Sequence, residues 1–263
     1  AFTYANNLTS SAGDMAVVEV VKDCAISTNL GVNASKYFYL TSSKDVTITF
    51  TGTNNTIRTQ SNGNLLVASL TGSITLTSTA PRQTGLFSTY SGTTLEIGTG
   101  TIIKNISGAS ILRFTAGDIT ISGAKFVDNN ATDAVILNLN GNVDIKGAEF
   151  TNNTVTHATY GLISTFNSSV TTIGNVIFDN NTITTGYDIY QASGTLNLEG
   201  AAVKANIYVA SGNSINVTGQ LTQGSKYNVT VPDYTAYPFD TTSIVNFTYD
   251  GVTTDEVATQ KAY

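Results

Sequence analysis

Apolar and polar residues alternate in short runs through most of this chain. Ile119 and Ile121 alternate with Thr and Ser, and Val143 and Ile145 alternate with Asp and Lys. A period of two residues is typical of a strand with one buried face. Turns that usually end in glycine separate these runs, so the pattern predicts short strands joined by tight turns.

A helical period is nearly absent from the chain. Only the segment 14–25 approaches a 3.6-residue period, and its four valines are β-branched. Such residues favour a strand or a mixed cap over a helix. We therefore expect almost no helix.

The alternating segments recur with a period near 24 residues. Each unit contains an apolar strand residue, a large apolar residue five places later, and an asparagine three places after that. The asparagines, at intervals of 24, 24, 28 and 25 residues, are Asn105, Asn129, Asn153, Asn181 and Asn206. The large apolar residues are Ile102, Phe126, Phe150, Phe178 and Val203. The preceding strand residues are Ile97, Ile121, Ile145, Ile173 and Leu198.

This repeat predicts the fold. A unit of this size cannot bury a core alone, so successive units must stack. Crossover helices of an α/β fold are missing, and the units are shorter than the roughly 40–45 residues of a propeller blade. We predict an all-β, right-handed parallel β-helix with three strands per coil. Residues 1–35 would form an N-terminal cap, 36–222 the β-helix, and 223–263 a C-terminal β-rich cap or assembly segment.

Stacking assigns a role to each repeated position. Adjacent coils would lie about 4.8 Å apart. The five large apolar residues would form an internal core stack, each contributing about 1.5–3 kcal/mol on burial. The five asparagines would form a ladder of side-chain amides that bonds coil to coil at a corner.

Composition narrows the class of protein. Charged residues make up 11% of the chain and the apolar share is 41%, which argues against disorder. The net charge is −6 and no two basic residues are adjacent, so nucleic acid is not an expected partner. No apolar run is long enough for a membrane helix. The chain starts AFTYANN, which is compatible with a mature secreted form after signal-peptide removal.

Two kinds of residue bear on an extracellular setting. Cys24 is the single cysteine; it is a small core residue or a candidate for an intermolecular disulfide. Eleven asparagines stand in N-x-S/T sequences and are candidates for glycosylation. They are Asn7, Asn33, Asn54, Asn105, Asn130, Asn152, Asn167, Asn180, Asn216, Asn228 and Asn246.

The Phe-x-x-Asn repeats carry a family resemblance. The segments 126–129, 150–153 and 178–181 resemble those of chlamydial polymorphic outer membrane proteins and related surface β-helix proteins. The pairs Gly123-Ala124 and Gly147-Ala148 resemble part of the Gly-Gly-Ala motif of that family. The chain looks like an autotransporter passenger or surface β-helix of pectate-lyase-like architecture, which implies an exported, surface-exposed protein.

An enzymatic function is one alternative, because β-helices include polysaccharide lyases and hydrolases. Such chemistry needs paired carboxylates, or a carboxylate cluster that holds Ca²⁺. Asp128, Glu149 and Asp179 form the best candidate, a loose acidic strip near the repeated corner. His157, the single histidine, lies in the 28-residue coil, whose extra residues are typical of a binding loop.

A second alternative is binding to an ordered surface such as ice or crystalline polysaccharide. Thr-x-Thr runs at 47–51, 75–79, 154–156 and 182–184 suggest flat arrays of hydroxyl groups. Threonine is also a strong strand former, so the runs have a simpler structural explanation.

The leading prediction is a structural or adhesive role. A rod with few charges and no convincing catalytic constellation suits a filament, sheath or surface layer. Tyr227, Tyr234, Tyr237 and Tyr249 near the C-terminus, together with Cys24, are the candidates for assembly contacts. We expect an extracellular, non-enzymatic protein without cofactor or metal, whose partners are copies of itself, other surface proteins, or glycans of a host or neighbouring cell.

Overall fold

A computed structural model describes residues 1–11, 13–199, 204–220, 226–231 and 245–247. The chain forms a parallel β-solenoid of about eight turns, which confirms the predicted all-β architecture of stacked coils. The right hand of the coil stays a prediction. Every strand pairing within the described sheets is parallel, because each strand lies against its counterpart one coil away.

Strands of successive coils align into sheets along the rod. The first sheet contains β1 (Ala16–Glu19), β4 (Tyr37–Thr41), β7 (Asn64–Val67), β10 (Thr94–Ile97), β13 (Asp118–Ser122), β16 (Asn142–Lys146), β20 (Val170–Gly174), β24 (Thr195–Leu198), β26 (Ile215–Val217) and β28 (Val245–Phe247). The second contains β2 (Cys24–Ile26), β5 (Val46–Phe50), β8 (Ile74–Ser78), β11 (Thr101–Lys104), β14 (Lys125–Val127), β17 (Glu149–Thr151) and β21 (Ile177–Asp179).

The third side of the rod is made of two sheets. One contains β12 (Ser107–Phe114), β15 (Asn130–Asn138), β18 (Thr154–Val155), β19 (Ile163–Thr165), β22 (Thr182–Ile183), β23 (Ile189–Gln191), β25 (Lys204–Val209) and β27 (Lys226–Thr230). The other contains β3 (Leu30–Val32), β6 (Ile57–Thr59) and β9 (Phe87–Thr89). Backbone bonds from Leu86 to Ile111 (2.9 Å) and from Arg82 to Ser107 (2.7 Å) connect the two.

The alternating sequence explains the buried face of each strand. Ile119 and Ile121 in β13 are 2% and 0% exposed, while Thr120 between them points outward. The register pairs Ile119 with Val143 and Ile121 with Ile145, so apolar residues stack on apolar residues. The interior of the solenoid is therefore one continuous hydrophobic core.

Phenylalanine rings stack inside the second sheet. The Phe126 and Phe150 ring centroids are 4.6 Å apart with a 3° interplanar angle, and Phe150 and Phe178 are 5.5 Å apart. Phe126 and Phe150 are fully buried, and Phe178 packs against the core from a half-buried position.

An asparagine ladder runs beside these rings. Nδ2 of Asn129 donates to Oδ1 of Asn153 (2.9 Å), and Nδ2 of Asn153 donates to Oδ1 of Asn181 (3.0 Å). Each amide also donates to a backbone carbonyl one coil away, as Asn153 does to Phe126 (2.9 Å). The ladder is mostly buried, and its hydrogen bonds join coil to coil in the direction of the rod.

The core stack and the ladder do not extend to Ile102 and Asn105, so that part of the prediction is wrong. Ile103 pairs with Phe126, whereas Ile102 points outward and is half-buried. Ile106 takes the place of an asparagine, since its backbone N–H bonds Oδ1 of Asn129 (3.1 Å). The cause is one extra residue in the turn between Ile97, which remains in register, and β11.

Asn206 is also outside the ladder. It lies on the exposed side of β25, where its Oδ1 accepts a bond from Asn228 (2.8 Å). The coil that joins Ile189 to its partner Ile207 is only 18 residues long, against 26 for the preceding one, so Asn206 has already reached the third side. Val203 lies outside the described residues.

The coils extend beyond the predicted boundaries. β1, β2 and β3 pair with β4, β5 and β6, so a complete coil precedes residue 36 inside the segment predicted as a cap. The short helix α1 (Phe2–Ala5) packs on this end, with the ring of Phe2 5.7 Å from that of Phe38. At the other end β27 pairs with β25 and β28 with β26, so stacking continues past residue 222.

Arg82 is a cation within the rod. It is 2% exposed, its guanidinium donates to the carbonyl oxygens of Gly52, Asn55 and Gly85, and it lies 5.2 Å from the ring centroid of Phe50. Burial lowers the pKa of Arg82 to about 10, so the side chain stays charged at neutral pH. Arg82 therefore bonds neighbouring coils where the asparagine ladder is absent.

Candidate functional site

The acidic strip predicted at the corner does not form a catalytic pair. Glu149 makes an ion pair with Lys125 (2.8 Å), and Asp128 accepts a bond from Asn152 (3.2 Å). Asp179 pairs with Thr151 in β17, so it occupies a different position of the coil from Asp128. Asp128 instead shares its left-handed backbone position (φ 54°) with Asn152 (φ 56°), which explains its place at the turn.

Metal-ligating side chains are likewise dispersed. Among the residues that the structure describes, no group of three or more His, Cys, Asp or Glu residues is placed to hold a metal ion. His157 points its Nδ1 at the backbone N–H groups of Thr159 (3.1 Å) and Tyr160 (3.2 Å). The histidine thus shapes its own loop.

The threonine runs form only small arrays. Thr47 pairs with Thr75 and Thr49 with Thr77, but Ile102 follows Thr75 on the next coil. Thr154 and Thr182 pair on another side of the rod. Each array thus spans two coils, a small area for binding an ordered lattice.

Six rings gather on the outward side of the third side, and we call this group the aromatic patch. Its members are His157, Tyr160, Phe166, Tyr187, Tyr190 and Tyr208. The Tyr190 and Tyr208 rings are stacked at 4.7 Å with a 14° interplanar angle. His157 stacks on Tyr160 at 3.7 Å, and Tyr160 meets Phe166 edge to face at 4.9 Å.

Strand register and the long coil together position this patch. Ser164, Tyr190 and Tyr208 are paired neighbours, and all three point outward because the adjacent Ile163, Ile189 and Ile207 are fully buried. The four extra residues of the 28-residue coil lie in the loop that carries Tyr160. The loop folds back onto the strand: the backbone N–H of Gly161 donates to Oγ of Ser164 (3.1 Å).

The patch is uncharged at neutral pH. Burial, aided by the neighbouring hydroxyls of Tyr208 and Tyr160, raises the pKa of Tyr190. Beneath it, burial also raises the pKa of Asp188, although a backbone N–H from Asn206 (2.9 Å) partly offsets this. Five of the six rings are half-buried and Tyr190 is 9% exposed, so ring faces and edges together form an apolar surface with polar rims.

A second feature lies further along the same side. An open groove of about 590 Å³ crosses three successive coils and is lined by Arg58, Ser88, Tyr90 and Arg113, among others. Arg58 and Arg113 are exposed, and Tyr90 is 47% exposed. Nε of Arg58 donates to Oγ1 of Thr56 (3.4 Å).

The residues predicted for assembly have different surroundings. Tyr227 is 5% exposed and belongs to the core, so its assignment as an exposed contact is wrong; β27 turns this tyrosine inward. Tyr234, Tyr237 and Tyr249 lie outside the described residues. Cys24 is exposed, because β2 stands at the end of its sheet.

Most candidate glycosylation sites are accessible. The exposed asparagines are Asn7, Asn33, Asn54, Asn105, Asn130, Asn152, Asn167, Asn180 and Asn228. Asn216 is half-buried, and Asn246 lies in β28, whose side chains are not described. Whether any carries a sugar stays a prediction.

Sequence reasoning pointed to the long coil but missed the patch and the groove. The usable signal for the patch was the coil of 28 residues with His157 and Tyr160 inside it. The partner rings come from two later coils, and only strand register shows that they meet.

Comparisons with known proteins identify no relative. No protein-family model, curated protein or solved structure matches this chain. Within the described residues, no helix combines the length and apolar character needed to cross a membrane. The function is therefore argued from the geometry alone.

Proposed function

We propose that this chain is an adhesive rod of an extracellular surface that binds glycans without transforming them. The aromatic patch carries the proposal. Sugar rings present apolar C–H faces and a rim of hydroxyls, which complement tyrosine rings that are apolar in the body and polar at the tip. The patch crosses three coils, about 10 Å from the first to the third, which suits an extended chain.

Several properties of the rod support an adhesive role. Rigid stacked coils form extended surfaces, and residues inserted into one coil concentrate on a binding face. The Phe-x-x-Asn repeats resemble those of surface β-helix proteins of the chlamydial polymorphic and autotransporter kind. This resemblance favours an exported, cell-surface location.

The arrangement of the carboxylates favours binding over catalysis. Of the three candidate acids, Glu149 is engaged with Lys125, and Asp128 and Asp179 occupy different positions of the coil. Polysaccharides incubated with the protein should release no reducing or unsaturated ends. Release that Asp128→Ala or Asp179→Ala abolishes would establish the enzymatic alternative instead.

A binding assay tests the adhesive proposal. Wild-type protein should bind members of a panel of immobilised neutral and acidic polysaccharides. The double variant Tyr160→Ala/Tyr208→Ala should lose at least tenfold in affinity, because each aromatic contact contributes about 0.5–1.5 kcal/mol. Tyr39→Ala is the matched control, since Tyr39 is half-buried and points outward from the first sheet.

Two outcomes contradict the proposal. One is that the wild type binds no polysaccharide in the panel. The other is that the patch variant, folded with the melting temperature of the control, binds as tightly as the wild type.

Self-association is the second property that we propose. Among the described residues, β1 and β2 each pair on one edge only, and the exposed Val17 (60%), Val21 (63%) and Tyr4 (72%) lie near this end. Unpaired strand edges add further strands readily. Val17→Lys should shift the oligomers seen by light scattering toward monomer; wild-type protein that stays monomeric at high concentration contradicts self-association.

A further inference from the structure

The groove on the third side differs in charge from the rest of the chain. Residues 46–117 contain four basic residues and one acidic residue, a net charge of +3, although the whole chain carries −6. All three arginines of the protein, Arg58, Arg82 and Arg113, fall within this segment. The solenoid places two of them on the groove and the third inside the rod.

The two groove arginines are available to a ligand. Neither forms an ion pair with any residue that the structure describes. Arg58 pairs with Ser88, and Arg113 lies one coil further along, so their backbones are about 10 Å apart. The described residues that line the groove include no carboxylate.

The remaining lining suits a sugar chain. Tyr90 offers an exposed ring, and Asn54, Ser88 and Thr115 offer amide and hydroxyl groups that both donate and accept hydrogen bonds. The volume of about 590 Å³ falls in the usual range of ligand sites, about 300–1,000 Å³. Guanidinium groups bond carboxylates and other oxyanions in a bidentate manner.

The groove and the aromatic patch share one outward row of residues. Arg113 pairs with Leu137, Leu137 with Ser164, and Ser164 with Tyr190. Tyr190 is thus three coils from Arg113, about 14 Å along the rod. A single polymer chain lying along the axis reaches both features.

We propose that this groove binds an anionic glycan, whose carboxylates or sulfate esters pair with Arg58 and Arg113. The inference rests on the proposed glycan-binding function and adds the charge class of the ligand. A carboxylated and a sulfated glycan present the same oxyanion chemistry to the two guanidinium groups, so the experiment includes both.

Binding should be measured to polygalacturonate, to heparin, and to the carboxyl-reduced and desulfated forms of these two polymers. Wild-type protein should prefer at least one acidic polymer over its neutralised form, and added salt should weaken this preference. Arg58→Gln/Arg113→Gln should lower the affinity for that polymer tenfold or more, since each charge-assisted bond is a strong one. Binding to the neutral polymers should not change.

The double variant Lys22→Gln/Lys44→Gln is the matched control. It removes two positive charges at exposed positions outside the groove and should keep the wild-type affinity. Polyglutamate serves as an acidic polymer that is not a glycan, and it should bind more weakly than the preferred acidic glycan.

The outcomes separate this inference from the proposed function. Equal binding of acidic and neutralised glycans, or no loss in the folded arginine variant, overturns the inference and leaves the adhesive proposal standing. Polyglutamate that binds as tightly as the acidic glycans overturns the glycan assignment in favour of an acidic peptide. If the wild type binds no polymer at all, both proposals fail.

Discussion

The corner of the coils and the third side of the rod follow opposite rules. At the corner, Phe126, Phe150 and Phe178 recur and stack, and the asparagines beside them bond coil to coil. On the third side, Arg113, Leu137, Ser164 and Tyr190 occupy one outward row and no residue type recurs in it. Repetition therefore marks the positions that hold the fold, and departure from repetition marks the surface available to a ligand.

The largest effect expected from this comparison comes from the centre of the ring stack. Phe150→Ala should lower the free energy of unfolding by about 3–5 kcal/mol, because Phe150 is fully buried between two rings and its removal leaves a cavity. Denaturant unfolding measures the change. Phe166→Ala, which removes a half-buried ring of the aromatic patch, should cost clearly less; equal losses would contradict the division of roles.

The ladder gives the next effect. Asn153→Ala should cost about 3 kcal/mol, because it leaves buried partners on Asn129 and Phe126 unbonded. Asn105→Gly is the control: Asn105 is exposed with φ of 54°, which glycine adopts freely, so we expect a change within about 0.5 kcal/mol. A ladder that adds nothing to stability would show no difference between the two variants.

Tyr227 tests the core through pH. Burial raises its pKa from 10 to about 12, because the folded state holds the phenol in its neutral form. The stability that this provides is complete below pH 10 and is lost as the pH rises toward 12, up to about 3 kcal/mol. Tyr227→Phe should remove this part of the alkaline loss. Identical unfolding curves for both proteins between pH 9 and about pH 12 would contradict it.

The smallest effect belongs to the groove. Arg58→Gln/Arg113→Gln should change the free energy of unfolding by less than about 0.5 kcal/mol, since both side chains are exposed and neither is ion-paired within the described residues. Thermal unfolding provides the measurement. A large loss would mean that the arginines hold the fold.

Much of the fold follows from the sequence, while little of the candidate site does. Ile97, Ile121, Ile145, Ile173 and Leu198 were expected to align, and each pairs with the next. The shift at Ile103 was missed because one extra turn residue changes the corner without changing the period by more than one. The aromatic patch was missed because its rings come from three coils.

The sequence by itself determined that the chain stacks into coils and which residue types fill the core, because burial and hydrogen bonding must be satisfied again at every repeat. The tertiary structure decided where each coil is one residue longer or many residues shorter. Those lengths set the register on the third side, and so they decide that Arg58 faces the same groove as Arg113 and that Tyr160 reaches Tyr190. Such contacts depend on the summed lengths of the intervening turns, which no local pattern records.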